Sequence, residues 1–214
     1  MRFFSFITDF LFPKTKKVIA LEALSTAKLL DTLPRANLVE KSVVAIFDYS
    51  HPVVKELIWE VKYAGNRVLA DKFGEILYDV IVDELEEENV FAKWPTVILL
   101  PMPISDKRRY ERGWNQSELL SDAVKKRDSG KRFKYLPRQL AKIMHTESQT
   151  KTSGKRERLH NLTGSMRVLN PDIVKDRFVV VVDDVTTTGS TFTEAKHALK
   201  EAGVKKILCV AVAH

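Results

Sequence analysis

The chain has 214 residues, 44% of them apolar, with a formal charge of +7 and one cysteine. That length holds one medium α/β domain plus a smaller appendage, with enough apolar residues for a packed core. The lone Cys209, in the apolar run ILCVAVA, excludes an intrachain disulfide and a cysteine-rich zinc site, and fits a reducing, cytoplasmic setting. Positive charge concentrates between residues 101 and 160, where 16 Lys and Arg face 7 Asp and Glu. Such an excess suits an anionic partner: phosphate, pyrophosphate or nucleic acid.

In chain order, MRFFSFITDFLF is too short to span a bilayer, is interrupted by Asp9 and has no small-residue cleavage site, so no membrane span is expected. Phe3, Phe4, Ile7, Phe10 and Leu11 share one helical face, suited to docking on the rest of the protein, with a membrane surface as the lesser alternative. Residues 16–33 read as one amphipathic helix stopped by Pro34, and SVVAIFDYS (42–50) as a strand. PVVKELIWEVKY (52–63) reads as a helix with Pro at its start and Val53, Leu57, Ile58 and Val61 at helical spacing. A second helix is expected over 67–88. TVILLPMP is a buried strand ending in a proline-framed turn, NQSELLSDAVKKR a helix, and RFKYL and QLAKIM short strands. HTESQTKTSGKRERLHN (145–161) has almost no apolar content and reads as a long mobile loop. The last third reads as strand (178–183), turn, helix (190–202, capped by Gly203) and strand (206–213). Strands alternating with helices predict an α/β fold with a mostly parallel sheet flanked by helices.

The stretch FVVVVDDVTTTGSTF, residues 178–192, joins three chemistries. Four valines suit a strand buried on both faces, as parallel strands are. That strand delivers Asp183 and Asp184 to the sheet edge where ligands bind. Thr186, Thr187, Thr188, Gly189, Ser190 and Thr191 then turn into a helix, offering hydroxyls, backbone N–H groups and a helix dipole to one anion. Gly189 permits a positive φ or a close approach. A phosphate fits the turn, and a polyol or hydrated cation fits the acids, so a ribose phosphate satisfies both. Three rivals lack their motifs. No G-x-x-x-x-G-K-[ST] is present for a P-loop, since SGKR at 153–156 fails at its last position. No G-x-G-x-x-G marks a dinucleotide fold. A receiver domain places its acids early, whereas here only one strand follows.

These residues resemble the phosphoribosyl-pyrophosphate (PRPP) signature of type I phosphoribosyltransferases. HPVVKELIWEVKYAGNRVLA, LLPMPISDKRRYERGWNQSELL and TESQTKTSGKRERLHNLTGSM narrow the resemblance to the ComF/GntX-like competence-protein subgroup, over residues 49–214. The resemblance implies that Asp183 and Asp184 hold the ribose hydroxyls and that the turn from Thr186 to Thr191 holds the 5′-phosphate. It assigns pyrophosphate to the turn at Met102, Pro103 and Ile104. Arg108, Arg109, Arg112, Asn115 and Gln116 are then candidates for pyrophosphate or the second substrate. A mobile loop carrying Gln149, Lys151, Lys155, Arg156 and Arg158 would close over the leaving group. The implied cofactor is Mg2+, held mainly through the substrate, with Asp183 and Asp184 as its indirect protein partners. Displacing pyrophosphate at an anomeric carbon develops oxocarbenium character on the ribose.

Residues 1–41 are expected as a helical appendage and 42–214 as the phosphoribosyltransferase-like domain, with 42–95 giving a hood and flanking helices. Tyr49, His51, Lys62 and Tyr63 are candidates for that hood over the acceptor. Two departures from the family stand out. The N-terminal cysteine pairs that often bind zinc are absent, and VTTTG has no acid between Asp184 and Gly189, which disfavours a hypoxanthine or guanine acceptor. Two functions remain: PRPP-dependent transfer to a base, amine or ammonia, or a non-catalytic protein that senses a ribose phosphate or binds single-stranded DNA. A homodimer is a further expectation, since type I relatives often pair.

Overall fold

The computed structural model describes residues 15–37, 42–143 and 164–214. Two helices open it, α1 (Lys16–Ala23) and α2 (Thr26–Thr32). The sequence predicts one helix here; the break falls at Leu24, whose backbone is extended, because the Ser25 hydroxyl accepts the Lys28 N–H at 3.3 Å and caps a fresh start. Their buried residues, Val18, Leu21, Leu29 and Leu33, belong to the same core as Phe47, Leu57 and Phe73.

Next come β1 (Val43–Phe47) and α3 (Pro52–Trp59). The predicted helix over 52–63 stays α-helical only to Trp59 and then widens into a π-helical segment, Glu60–Ala64, ended by Gly65 at φ 63°. After α4 (Arg67–Glu87), a short α5 (Val90–Lys93) leads into β2 (Val97–Pro101). Two helices follow, α6 (Asp106–Arg112) and α7 (Gln116–Arg127), where the sequence pattern shows only the second. α6 escapes periodicity because it buries no residue at all. β3 (Phe133–Tyr135) completes one sheet edge, and β4 (Leu140–Lys142) pairs antiparallel with β5 (Met166–Val168) in a separate ribbon. A short α8 (Pro171–Val174), β6 (Phe178–Val185), α9 (Ser190–Glu201) and β7 (Lys206–Ala213) close the chain. β6 runs two residues past the expected end, because Asp183 and Val185 stay paired with Ala211 and Ala213 of β7. Neither β5 nor α8 is signalled by the sequence pattern; each is three or four residues long.

The main sheet has the order β1-β7-β6-β2-β3, every pairing parallel. The consecutive valines Val179–Val182 of β6 are fully buried and serve two cores in alternation. Val180 and Val182 face the larger core with α3, α4 and α7, while Val179 and Val181 face a second one that includes Phe192 and Leu199 of α9 and Val174 of α8. Cys209 is a fully buried member of the second core. Among the described residues no helix is long and apolar enough to cross a membrane.

Helices α4 and α7 meet at Gly74: a Cβ there would lie 2.2 Å from the Ala123 Cβ. An exposed helical Gly→Ala change gains about 1 kcal/mol. Here the clash reverses the sign, so Gly74→Ala should lower unfolding stability by about 1–3 kcal/mol in urea titration. Behind α7, the Asp128 carboxylate accepts from Lys125 Nζ (2.8 Å) and from the N–H groups of Arg132 and Phe133 (both 2.9 Å). Burial alone would raise its pKa, but these bonds together hold it below the ordinary carboxylate value. A depressed folded-state pKa stabilises above the unfolded value and is lost as pH falls through the folded one. Asp128→Asn should therefore cost about 2 kcal/mol at pH 7 and progressively less below about pH 4, read by urea titration across pH.

Candidate functional site

β2 and β6 are neighbours, with Pro101 opposite Val182. From β2 the chain turns outward to β3, and from β6 it turns the other way to β7. Their carboxyl ends therefore flank the point where the winding reverses, where ligand crevices of open α/β sheets lie. Side by side at this edge stand the Met102–Pro103–Ile104 turn, the acid pair and the threonine turn.

Asp183 and Asp184 are buried, at 7% and 5% exposure. Asp183 Oδ1 accepts from Ser117 Oγ at 2.8 Å and from the Asp184 backbone N–H at 2.9 Å. Burial, then the adjacent Asp184 charge, pushes the Asp183 carboxyl well above the usual carboxylate range. Asp184 Oδ1 accepts from Gln116 Nε2 at 3.3 Å. Its Oδ2 lies 3.3 Å from Lys62 Nζ, a charge pair without the alignment of a hydrogen bond.

Four consecutive residues at the head of α7 assemble this edge. Trp114 Nε1 donates to Val61 O at 3.3 Å, and its indole packs against Gly65, where a Cβ would come within 3.1 Å of the ring. Asn115 Nδ2 donates to Met102 O at 2.9 Å, while its Oδ1 caps α7 at the Ser117 N–H. Gln116 reaches Asp184 and Ser117 reaches Asp183. One short stretch thus fixes the π-helical segment, the end of β2 and both acids to one another.

In the threonine turn, Thr186 is buried and its N–H is spent on Ala213 O at 2.9 Å. His214 Nδ1 lies 3.0 Å from Thr186 O, a contact that requires the proton on Nδ1. Gly189 sits at φ 68°, the left-handed conformation the sequence pattern anticipates. Among the described residues no acceptor meets the N–H of Thr187, Thr188, Gly189 or Thr191, and the three threonines are exposed. These unspent donors at the start of the 12-residue α9 form an anion cradle. Ser190 and Thr188 join hydroxyls at 3.0 Å.

The other predicted residues divide. Met102 is buried and spends its N–H on Val182 O, and Pro103 has none, so of that trio only Ile104 retains a free amide among the described residues. Arg109 grips Glu118 through both guanidinium nitrogens and so braces α6 on α7; the Glu118 hydrogen bond holds its pKa above the ordinary value. Arg112 stacks 4.7 Å above the Tyr63 ring and donates to Gln116 Oε1 at 3.3 Å. Arg108 is exposed. Gln149, Lys151, Lys155, Arg156 and Arg158 lie outside the described residues, as do His145 and His160.

Three side chains join the site without having been singled out. Ser117 is one. Glu194 is buried on α9, and its Oε1 accepts the N–H groups of Gly164 (2.6 Å) and Ser165 (2.9 Å), tying the start of β5 to the helix behind the cradle. Lys142 keeps much of its surface in solvent, yet enough protein surrounds its ammonium that desolvation, ahead of the Arg108 charge, lowers its pKa. The charges of Asp183 and Glu194 pull it the other way. A lysine in a short strand and a glutamate four residues into a helix carry no local signal. Lys62, a hood candidate from the sequence, meets Asp184.

One comparison falls on the same residues. A model of the phosphoribosyl transferase domain matches residues 128–214, which include β6, the acid pair and the threonine turn. Competence protein F of Haemophilus influenzae is 29% identical over 169 residues, covering 77% of this chain and 69% of that protein. DNA utilization protein YhgH of Escherichia coli O6:H1 is 26% identical over 165 residues, covering 77% of this chain and 68% of that protein. A solved structure of the allosteric regulatory enzyme of purine biosynthesis aligns with a TM-score of 0.44 at 16% identity over 72% of this chain, which spans 30% of that enzyme chain's length. The parallel sheet and the acid-ended central strand agree with a type I phosphoribosyltransferase-like fold, and the chain is similar to ComF-like proteins over most of its length.

Proposed function

We propose that the chain binds PRPP along the β2–β6 edge and transfers its phosphoribosyl group to a base or amine acceptor. The observation that carries this reading is a buried carboxylate pair beside a turn with four unspent N–H donors. The cradle from Thr187 to Thr191 takes the 5′-phosphate. Asp183 and Asp184 accept hydrogen bonds from the ribose hydroxyls and, as acids beside the sugar, stabilise the positive charge that develops as the anomeric carbon–oxygen bond breaks. The Ile104 amide, Arg108 and Lys142 supply positive potential for the departing pyrophosphate. Arg109 and Asn115 keep α6, α7 and the end of β2 in place.

The donor set also suits Mg2+. Asp184 Oδ2 is buried without a hydrogen bond, and no group of three or more His, Cys, Asp or Glu among the described residues could hold a metal by itself. Such a site fits a hard cation that brings most of its oxygen ligands with the substrate and water. When bound, Mg2+ supplies charge neutralisation on the pyrophosphate oxygens.

A second reading, in which the chain handles DNA, is supported by the names of its relatives, Competence protein F and DNA utilization protein YhgH, and by the basic excess between residues 101 and 160. A role for single-stranded DNA would show as binding that weakens steeply with salt.

Isothermal titration with PRPP should give heat that depends on Mg2+ and disappears in Asp183→Asn/Asp184→Asn. No heat at millimolar PRPP from folded protein would sink the transferase reading and bring DNA forward. The acid pair also has a stability signature. Because the folded-state pKa of Asp183 is raised, wild-type stability declines as pH rises from the unfolded value toward the folded one. Asp183→Asn removes that burden, so it should raise the melting temperature of the ligand-free protein at pH 7.5 by at least roughly 2 °C. The gain should vanish near pH 4, where the wild-type side chain is itself neutral.

A further inference from the structure

Lys62 has no part in the reading above, yet the fold spends several contacts on placing it. It lies in the π-helical segment Glu60–Ala64, between the carbonyl of Val61, held by Trp114 Nε1, and the left-handed Gly65, packed under the same indole. Its neighbour Tyr63 carries the stacked Arg112. π segments are rare and concentrate at functional sites. This one presents Lys62, three-quarters buried, with Nζ 3.3 Å from Asp184 Oδ2.

We propose that Lys62 is the resident counter-ion of the acid pair, keeping a bare divalent cation off Asp184 so that metal enters only with a ligand that displaces the ammonium. The inference rests on the reading of Asp183 and Asp184 as the groups that face ribose and metal. Three observations favour it. Two adjacent carboxylates would otherwise attract a cation from solution, and Lys62 is the only cationic group found in direct contact with either among the described residues. Arg112 reaches Asp184 only through the neutral amide of Gln116. The Lys62–Asp184 contact is electrostatic without hydrogen-bond alignment, so the ammonium leaves without forfeiting an aligned bond. Lys62 is thus a positioning residue: it acts on metal access through Asp184.

The test is Mn2+ binding to the full-length, ligand-free protein, followed by electron paramagnetic resonance and by calorimetry. Lys62→Met should bind Mn2+ alone at least about ten-fold more tightly than wild type, since a unit charge beside the carboxylate is gone. Lys62→Arg should stay close to wild type, and Lys62→Met/Asp184→Asn should lose the gain. Equal Mn2+ affinities for wild type and folded Lys62→Met overturn the proposal, as does a gain in Lys62→Arg as large as in Lys62→Met. Lys62→Gln provides the same comparison if the methionine variant does not fold. Mn2+ alone is the probe, so the outcome does not depend on PRPP. Absent PRPP heat in wild type counts against the transferase reading, whereas an absent Mn2+ gain counts against Lys62.

Discussion

Burying two neighbouring carboxylates at the end of an all-valine strand is the constraint on which this structure turns. The strand must be covered on both faces, which calls for the two helical layers and the two separate cores. The carboxylates must be given partners, because an unpaired buried charge is far more costly than a paired one. α7 provides those partners by starting at Asn115 and aiming three successive side chains at the sheet edge. Even so, Asp183 keeps a raised pKa, so the pair remains an unrelieved point in the fold. Sites that must receive charge from a ligand are where such tension is retained.

The positive charge that sequence composition concentrates in residues 101–160 separates by role once side chains are placed. Arg109, Lys125 and Arg127 are engaged with Glu118, Asp128 and Glu75, so their charge holds helices together. Arg112 is half-buried between an aromatic ring and an amide. Among the described residues, Arg108 and Lys142 are left for an anion near the acid edge, supported by backbone N–H groups. Among the described residues, a count of basic side chains therefore overstates the positive potential left free for a ligand.

Much of the fold was legible because the strongest signals were local. Val179 to Val182, the acid pair and Gly189 announce a buried strand, its carboxyl edge and a left-handed turn within a dozen residues. The sheet and its flanking helices followed from alternation. What escaped lacked a local signature. α6 has no buried face, so hydrophobic periodicity is blind to it. The break at Leu24 rests on one serine hydroxyl, and the π-helical widening on an indole more than fifty positions away in sequence. Ser117, Lys142 and Glu194 enter the site through tertiary contact alone. Proximity in sequence could not reveal Glu118 or the Met102 carbonyl as the partners of Arg109 and Asn115.

The parallel pairing of β1 with β7 carries a consequence for how the protein is made. Val43 of the first strand lies opposite Cys209 of the last, and on its other side β1 meets only an isolated bridge from Arg35 among the described residues. On the ribosome, β1 emerges long before the strand that will hold it. The apolar faces of α3 and α4 emerge early too, before β6 exists to cover them. Contacts of such long sequence separation slow folding and leave intermediates exposed to association. The sheet closes when β7 enters between β1 and β6.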